Sequence, residues 1–202
     1  MSDLANGYHD LPSGKLAAVA TFLELSQAPP KTDRPWPGDT NFVSAPVGDL
    51  DRYRRLYRAV GRDWLWFERL LLDDAALSSI LGDPQRSILY LINDGEDQGL
   101  IELDFRHVPA VELTYFGVVP HLTGRGLGRL MMDEACARAF DGGASRLWVH
   151  TCTFDHPSAL GFYQSQGFRA FKRSIEIMDD PRLKGLIDRD AAPSVPLMEK
   201  EG

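Results

Sequence analysis

The sequence predicts an α/β fold, and three observations carry that reading. Three short apolar stretches rich in β-branched and aromatic residues stand close together in mid-chain: Ser87 to Ile92, Gly99 to Arg106 and Val111 to Val119. After Val119 the pattern becomes Gly-rich turn, helix, strand, short helix, strand. Two strands joined through a helix imply a parallel crossover. With 202 residues, 44% apolar and 25% charged, the chain has the profile of a globular domain and buries enough surface to do without disulfide or metal staples. The expected architecture is a mixed, mostly antiparallel central sheet flanked by helices, with the parallel crossover in the C-terminal half.

In chain order, Leu16 to Leu25 favours a strand through Val19, Thr21 and Phe22. The four prolines between Ala28 and Pro37 then stop any regular element. From Asp49, a plausible N-cap, the spacing of Leu50, Tyr53, Tyr57 and Val60 fits one face of a helix that stops at Gly61. A second helical stretch is expected from about Trp64 to Leu72, and a third, capped by Asp73 or Asp74, carries Leu77, Ile80 and Leu81. The three mid-chain strands, separated by short turns, form an antiparallel meander. Leu127, Met131, Ala135 and Ala139 stack on the next helix, which Gly142 and Gly143 end. Arg146 to Thr153 is a strand, a short helix opens at His156-Pro157 and closes at Gly167, and the last strand runs from about Phe168 to Met178. Three regions result: 1–40, an N-terminal strand and proline-rich connection wrapping the domain or serving oligomer contacts; 41–180, the main domain; and 181–202, a loosely held tail.

Charge and composition narrow the partners. Twenty-nine acidic residues against 22 Lys and Arg give a net charge of −7. With no Lys/Arg-rich face, a nucleic-acid partner is not expected. No apolar run approaches the roughly 20 residues of a bilayer span, so no membrane partner is expected. Met1 to Asp10 has no basic start and apolar core, so no signal peptide is read there. Two cysteines, Cys136 and Cys152, are too few for a disulfide framework and point to a reducing, cytoplasmic setting. No His, Cys, Asp and Glu cluster has metal-ligand spacing, so no metal is expected.

The most informative segment is Thr123-Gly124-Arg125-Gly126-Leu127-Gly128, between a strand and a helix. Glycines allow close backbone approach, and the first turn of a helix presents unpaired N–H groups and the positive dipole end, so a phosphate fits there. Arg125 and Arg129 add positive charge. A plain tight turn remains the alternative. The dinucleotide fingerprint fails, because Gly124-x-Gly126 is followed at the third position by Arg129 and the preceding strands form a meander.

Taken with the later Tyr163-x-x-x-Gly167-Phe168, these segments resemble the GNAT superfamily of acyl-CoA-dependent N-acetyltransferases, most strongly from about Ser87 to Phe171. The resemblance implies acetyl-CoA as co-substrate. The backbone of Thr123 to Arg129 would hold its pyrophosphate, with Thr123 departing from the usual Gln or Arg. The Phe116, Gly117, Val118 and Val119 edge would pair with the pantetheine arm, and the thioester would rest where this strand splays from Arg146 to Thr153. Tyr163 matches the tyrosine that points at the CoA sulfur; the alternative is a core tyrosine. His156 stands where many relatives carry Asn, and caps the helix or orders a water. Glu112 matches a general base used in one branch of the family; the alternative is a solvated carboxylate, with Glu102 and Asp104 as reserve bases.

Other residues fit more than one role. Cys152 could accept an acyl group or be apolar filling, and His150 suits core or cleft. The run from Trp64 to Leu72 reads as core, although in the superfamily early helices wall the acceptor pocket. The resulting expectation is acetyl transfer to the amine of a small molecule or peptide in a ternary complex. A catalytically silent acyl-CoA-binding module is the rival, and a homodimer is left open.

Overall fold

The computed structural model describes residues 4–30, 36 and 38–199. Most of the proline-rich connection, at 31–35 and 37, lies outside them. Seven strands form one sheet among the described residues: β1 (Lys15–Leu25), β2 (Thr40–Ser44), β3 (Arg86–Asn93), β4 (Glu96–Asp104), β5 (Ala110–Val118), β6 (Arg146–Thr151) and β7 (Arg169–Asp179), in the order β2-β3-β4-β5-β6-β1-β7. Every neighbouring pair is antiparallel except β5 and β6. The mixed α/β sheet, the meander and the parallel crossover are therefore as the sequence predicts.

Among the described residues four helices flank the sheet: α1 (Leu50–Gly61), α2 (Asp74–Leu81), α3 (Leu127–Asp141) and α4 (Ala159–Ser165). Asp49 caps α1 by accepting the Arg52 N–H at 3.0 Å, and Asp73 caps α2 by accepting that of Ala76 at 2.8 Å. Tyr53, Tyr57 and Val60 on α1 and Leu127, Met131, Ala135 and Ala139 on α3 are buried in one large core with Leu89, Leu91, Ile101 and Leu113 of the sheet. No described helix is long and apolar enough to cross a membrane.

Three differences from the sequence reading matter for the site. The stretch expected as a helix from Trp64 to Leu72 is two 3-10 turns, Arg62–Trp64 and Glu68–Leu71, parted at Leu65 in the left-handed region at φ 56°. The chain turns there, and the Trp66 ring lies where a side chain on Gly61 would project. The N-terminal strand, expected to wrap the domain or face a partner, is interior: β1 pairs with β6 on one side and β7 on the other. The tail is anchored rather than loose. Buried Arg182 pairs with Asp180 at 2.7 Å and donates to the carbonyls of Ala191, Val195 and Pro196. Ala192 packs with Leu16 and Leu65 in a second apolar cluster that Phe154 and Val195 extend.

Candidate active site

The parallel pairing of β5 and β6 lasts three residues, Ala110 to Glu112 against Arg146 to Trp148. Beyond Glu112 no described strand pairs with the β6-facing edge of β5. A register shift in the β4–β5 ladder leaves Thr114 unpaired, a bulge that bends β5 where the two strands part. On the far side, Phe116 stacks on Phe162 of α4, with centroids 5.8 Å apart. The result is a cleft of about 750 Å³ whose walls include β5, the Gly-rich turn, α4 and the 62–68 turns.

At one end stands the Gly-rich turn. Gly124 and Gly126 have φ of 81° and 86°, a left-handed backbone that other residues rarely adopt, and a Cβ at either would project into open space. Gly126 caps α3 without a side-chain hydrogen bond, leaving the first amides of that helix unclaimed by a capping side chain. Thr123, Gly124, Gly126, Gly128 and Arg129 line the cleft. Arg125 stands outside the lining, and the Leu127 side chain is in the core.

Phe116, Gly117 and Val118 form the neighbouring wall, whereas Val119 is buried and gives its N–H to the Gln98 carbonyl at 2.9 Å. Antiparallel pairing alternates, so the Val118 amide points away from β4 towards the cleft. Gly117 has a packing reason of its own: a Cβ there would come within 2.6 Å of Val60 Cγ1. The irregularity in this strand lies at Thr114.

Tyr163 reaches the cleft from α4 with its ring between Phe116, Phe162 and Phe168, at centroid distances of 6.2, 5.6 and 5.7 Å. Burial, with the nearby Asp155 charge, pushes its phenol well above the ordinary tyrosine range, so it keeps its proton at neutral pH. His156 lines the cleft just before α4 and orders the turn into it: the Ser158 N–H donates to its Nδ1 at 3.1 Å, while Ser158, the residue at the N-cap, makes no side-chain cap hydrogen bond. Its ring also meets Trp64, 5.0 Å away between centroids. This contact joins α4 to the 62–68 turns beside the cleft.

The carboxylates divide sharply. Glu102 is buried against Arg69, 2.9 Å away, and accepts the Tyr53 hydroxyl proton. Asp104 pairs with Arg86 at 3.0 Å and Arg106 at 2.6 Å. Burial alone would raise its carboxyl, but the Arg106 hydrogen bonds outweigh that and hold it below the usual range. Both reserve bases are thus committed to structural ion pairs. Glu112 is half-buried, and burial pushes its carboxyl up against the pull of His150. Glu112 does not itself line the cleft; His150 does, with Nδ1 3.9 Å from Glu112 Oε1. Burial pushes the Cys152 thiol up to about 11, so it is not a thiolate at neutral pH.

Several lining residues were not singled out as site residues from the sequence: Trp64, Trp66, Glu68, Tyr115 and Glu176. Residues two apart do not share a helical face, so the Trp64, Trp66 spacing was the available sign against a helix. Tyr115 is aimed by the bulge before it and hydrogen-bonds Glu68.

The profile of the Acetyltransferase (GNAT) family matches residues 52–168, more than half of the chain. Proteins of Mycobacterium tuberculosis and Mycobacterium bovis named as N-acetyltransferases are 32% identical over 98 residues, covering 48% of this chain and 62% of theirs. The chain therefore aligns with about three-fifths of the length of these curated relatives. A GCN5-related N-acetyltransferase from Sphaerobacter thermophilus superposes with a TM-score of 0.59 at 18% identity, over 83% of this chain and 52% of that one. A putative GNAT acetyltransferase from Novosphingobium aromaticivorans gives 0.55 at 19%, over 85% and 70%. Sheet order, the splayed parallel pair and the profile agree, and the chain belongs to the GNAT acetyltransferase family.

Proposed function

We propose that the protein moves an acetyl group from acetyl-CoA to a primary amine by direct attack in a ternary complex. The observation that carries this reading is the cleft itself, which holds an open helix N-terminus, an unpaired strand edge and a buried protonated phenol. Backbone amides of Gly124, Gly126, Leu127 and Gly128 suit the diphosphate, those of Arg125 and Arg129 being bonded to the Leu122 and Gly126 carbonyls at 3.3 and 3.2 Å, and the Arg129 side chain stands beside them. The free edge of β5 at Phe116 to Val118 suits the amide-bearing pantetheine arm, which can add to it as a strand would. Val118, whose amide is free, takes the role of polarising the thioester carbonyl; Val119 is already engaged by Gln98.

Proton handling follows from the same walls. An alkylamine with a pKa of about 10.4 arrives protonated and must lose a proton before attack. His150 accepts it at the cleft surface, and Glu112 behind it stabilises the cation that forms. Tyr163 gives its proton to the departing thiolate. The neutral Cys152 thiol argues against an acyl-enzyme. The lining includes Glu68, Asp155 and Glu176, whereas its one arginine, Arg129, stands beside the Gly-rich turn. That polarity favours a cationic amine.

Thiol release from acetyl-CoA across a panel of amines tests the proposal against its rival, a catalytically silent CoA-binding module. Acceptor-dependent release is expected, and CoA binding without release for any amine would favour the module. Gly126→Val should weaken CoA binding tenfold or more, read by calorimetry, because a β-branched residue resists the left-handed backbone that opens the cradle. Glu112→Gln should lower kcat across the pH profile, since the imidazolium that forms on His150 then lacks its carboxylate partner. An unchanged profile would separate Glu112 from proton removal.

A further inference from the structure

The last strand of the sheet has an open outer edge. β7 is hydrogen-bonded to β1 alone among the described strands, and Phe171, Ile175 and Ile177 on it are 43%, 51% and 61% exposed. A long exposed edge with apolar residues is a template for another strand unless its sequence guards against pairing. Charged guards of a single sign would repel any second copy. Here the signs are segregated: Arg169, Lys172 and Arg173 occupy the first half of β7, and Glu176 and Asp179 the second. Arg169, Lys172, Arg173 and Glu176 form no ion pair among the described residues, although Lys172 sits over the Phe22 ring at 4.5 Å.

We propose that two copies of the chain associate through antiparallel pairing of their β7 edges, with the twofold axis at Ser174. In that register Lys172 of each copy faces Glu176 of the other, Phe171 faces Ile177, Arg173 faces Ile175, and Arg169 faces Asp179, which Lys15 and Lys184 of its own chain already hold. Opposite charges and apolar pairs directly across an antiparallel ladder are the stabilising combinations. Sliding by two residues to centre on Arg173 sets Lys172 against Ser174 and Glu176 against Ala170. Centring on Ile175 sets Lys172 against Met178 and Glu176 against Ser174. A slip of one residue would place each side chain opposite one from the other face. Parallel alignment brings like charges together. The contact is isologous and closes on itself as a dimer, joining two seven-stranded sheets into one. Because Glu176 lines the cleft, the second copy contributes its Lys172 beside each site.

Light scattering with size exclusion and a disulfide trap test the assembly. The protein should run as a concentration-dependent dimer. Lys172→Glu, which sets two glutamates against each other at both ends, should weaken association tenfold or more, and the K172E/E176K double variant should restore it. Ser174→Cys in a Cys152→Ser background should form a covalent dimer on mild oxidation, because antiparallel partners lie about 4.5 to 5.5 Å apart at Cα, within disulfide reach. Circular dichroism verifies that each variant is folded, and the double variant separates charge pairing from simple damage. A monomer at concentrations well above micromolar would overturn the proposal. So would a dimer that K172E leaves intact and Ser174→Cys cannot trap.

Discussion

Tyr163→Phe should bind acetyl-CoA with unchanged affinity and turn it over about 100-fold more slowly, at the lower end of what losing a positioned general acid costs. The substitution removes one hydroxyl and keeps the ring that packs against Phe116, Phe162 and Phe168. Folding and the cleft wall are therefore preserved, and the loss falls on the step in which sulfur leaves. Because burial and Asp155 hold the phenol above its ordinary range, the wild-type acid does not titrate near neutral pH. The variant should consequently be slow across that whole range, rather than only on one limb of the profile. Calorimetric affinity measured beside kcat checks the split, and a variant with wild-type kcat would remove Tyr163 from the chemistry.

The second large effect concerns stability. Arg69→Met should lower the unfolding free energy by about 3–5 kcal/mol, because it strands the carboxylate of Glu102 in the core. For a domain of this size that is a fall in Tm of about 10 °C. Arg69 also lies over the Tyr115 ring, 4.8 Å from its centroid, so the loss should loosen the wall that holds Glu68. Arg69→Met with Glu102→Leu and Tyr53→Phe, which removes the whole polar set, should recover much of the loss. Thermal melts of the single and triple variants decide it; a single variant as stable as wild type would show that the pair carries no such burden.

What could be read in the sequence was what local pattern determines. The meander follows from β-branched runs and turns, and α1 and α2 from aspartates whose caps the structure shows. α3 follows from one apolar stripe ended by glycines. Relations across the chain were the harder part. β2 is five residues, Thr40–Ser44, too short for a pattern, and gains its partner only from β3. Trp64 and Trp66 look like core in a linear string, and a single left-handed residue, Leu65, turns them to the cleft. The motif from Thr123 to Arg129 marked a turn that lines the cleft, yet whether an amide is free depends on ladder parity, which separates Val118 from Val119. Glu102 and Glu112 are alike in sequence. Arginine and tyrosine partners brought from elsewhere in the chain leave only one of them near the cleft.

The placement of β1 between β6 and β7 bears on biosynthesis. The Val19 N–H donates to Thr153 Oγ1, 134 positions further along. During translation at roughly 5–20 residues per second, this hydrophobic segment emerges many seconds before either neighbour exists. The nascent chain must keep it from wrong partners for that interval. Slow codons placed after Leu16 to Leu25 would lengthen that interval, and faster synthesis of β6 and β7 would shorten it.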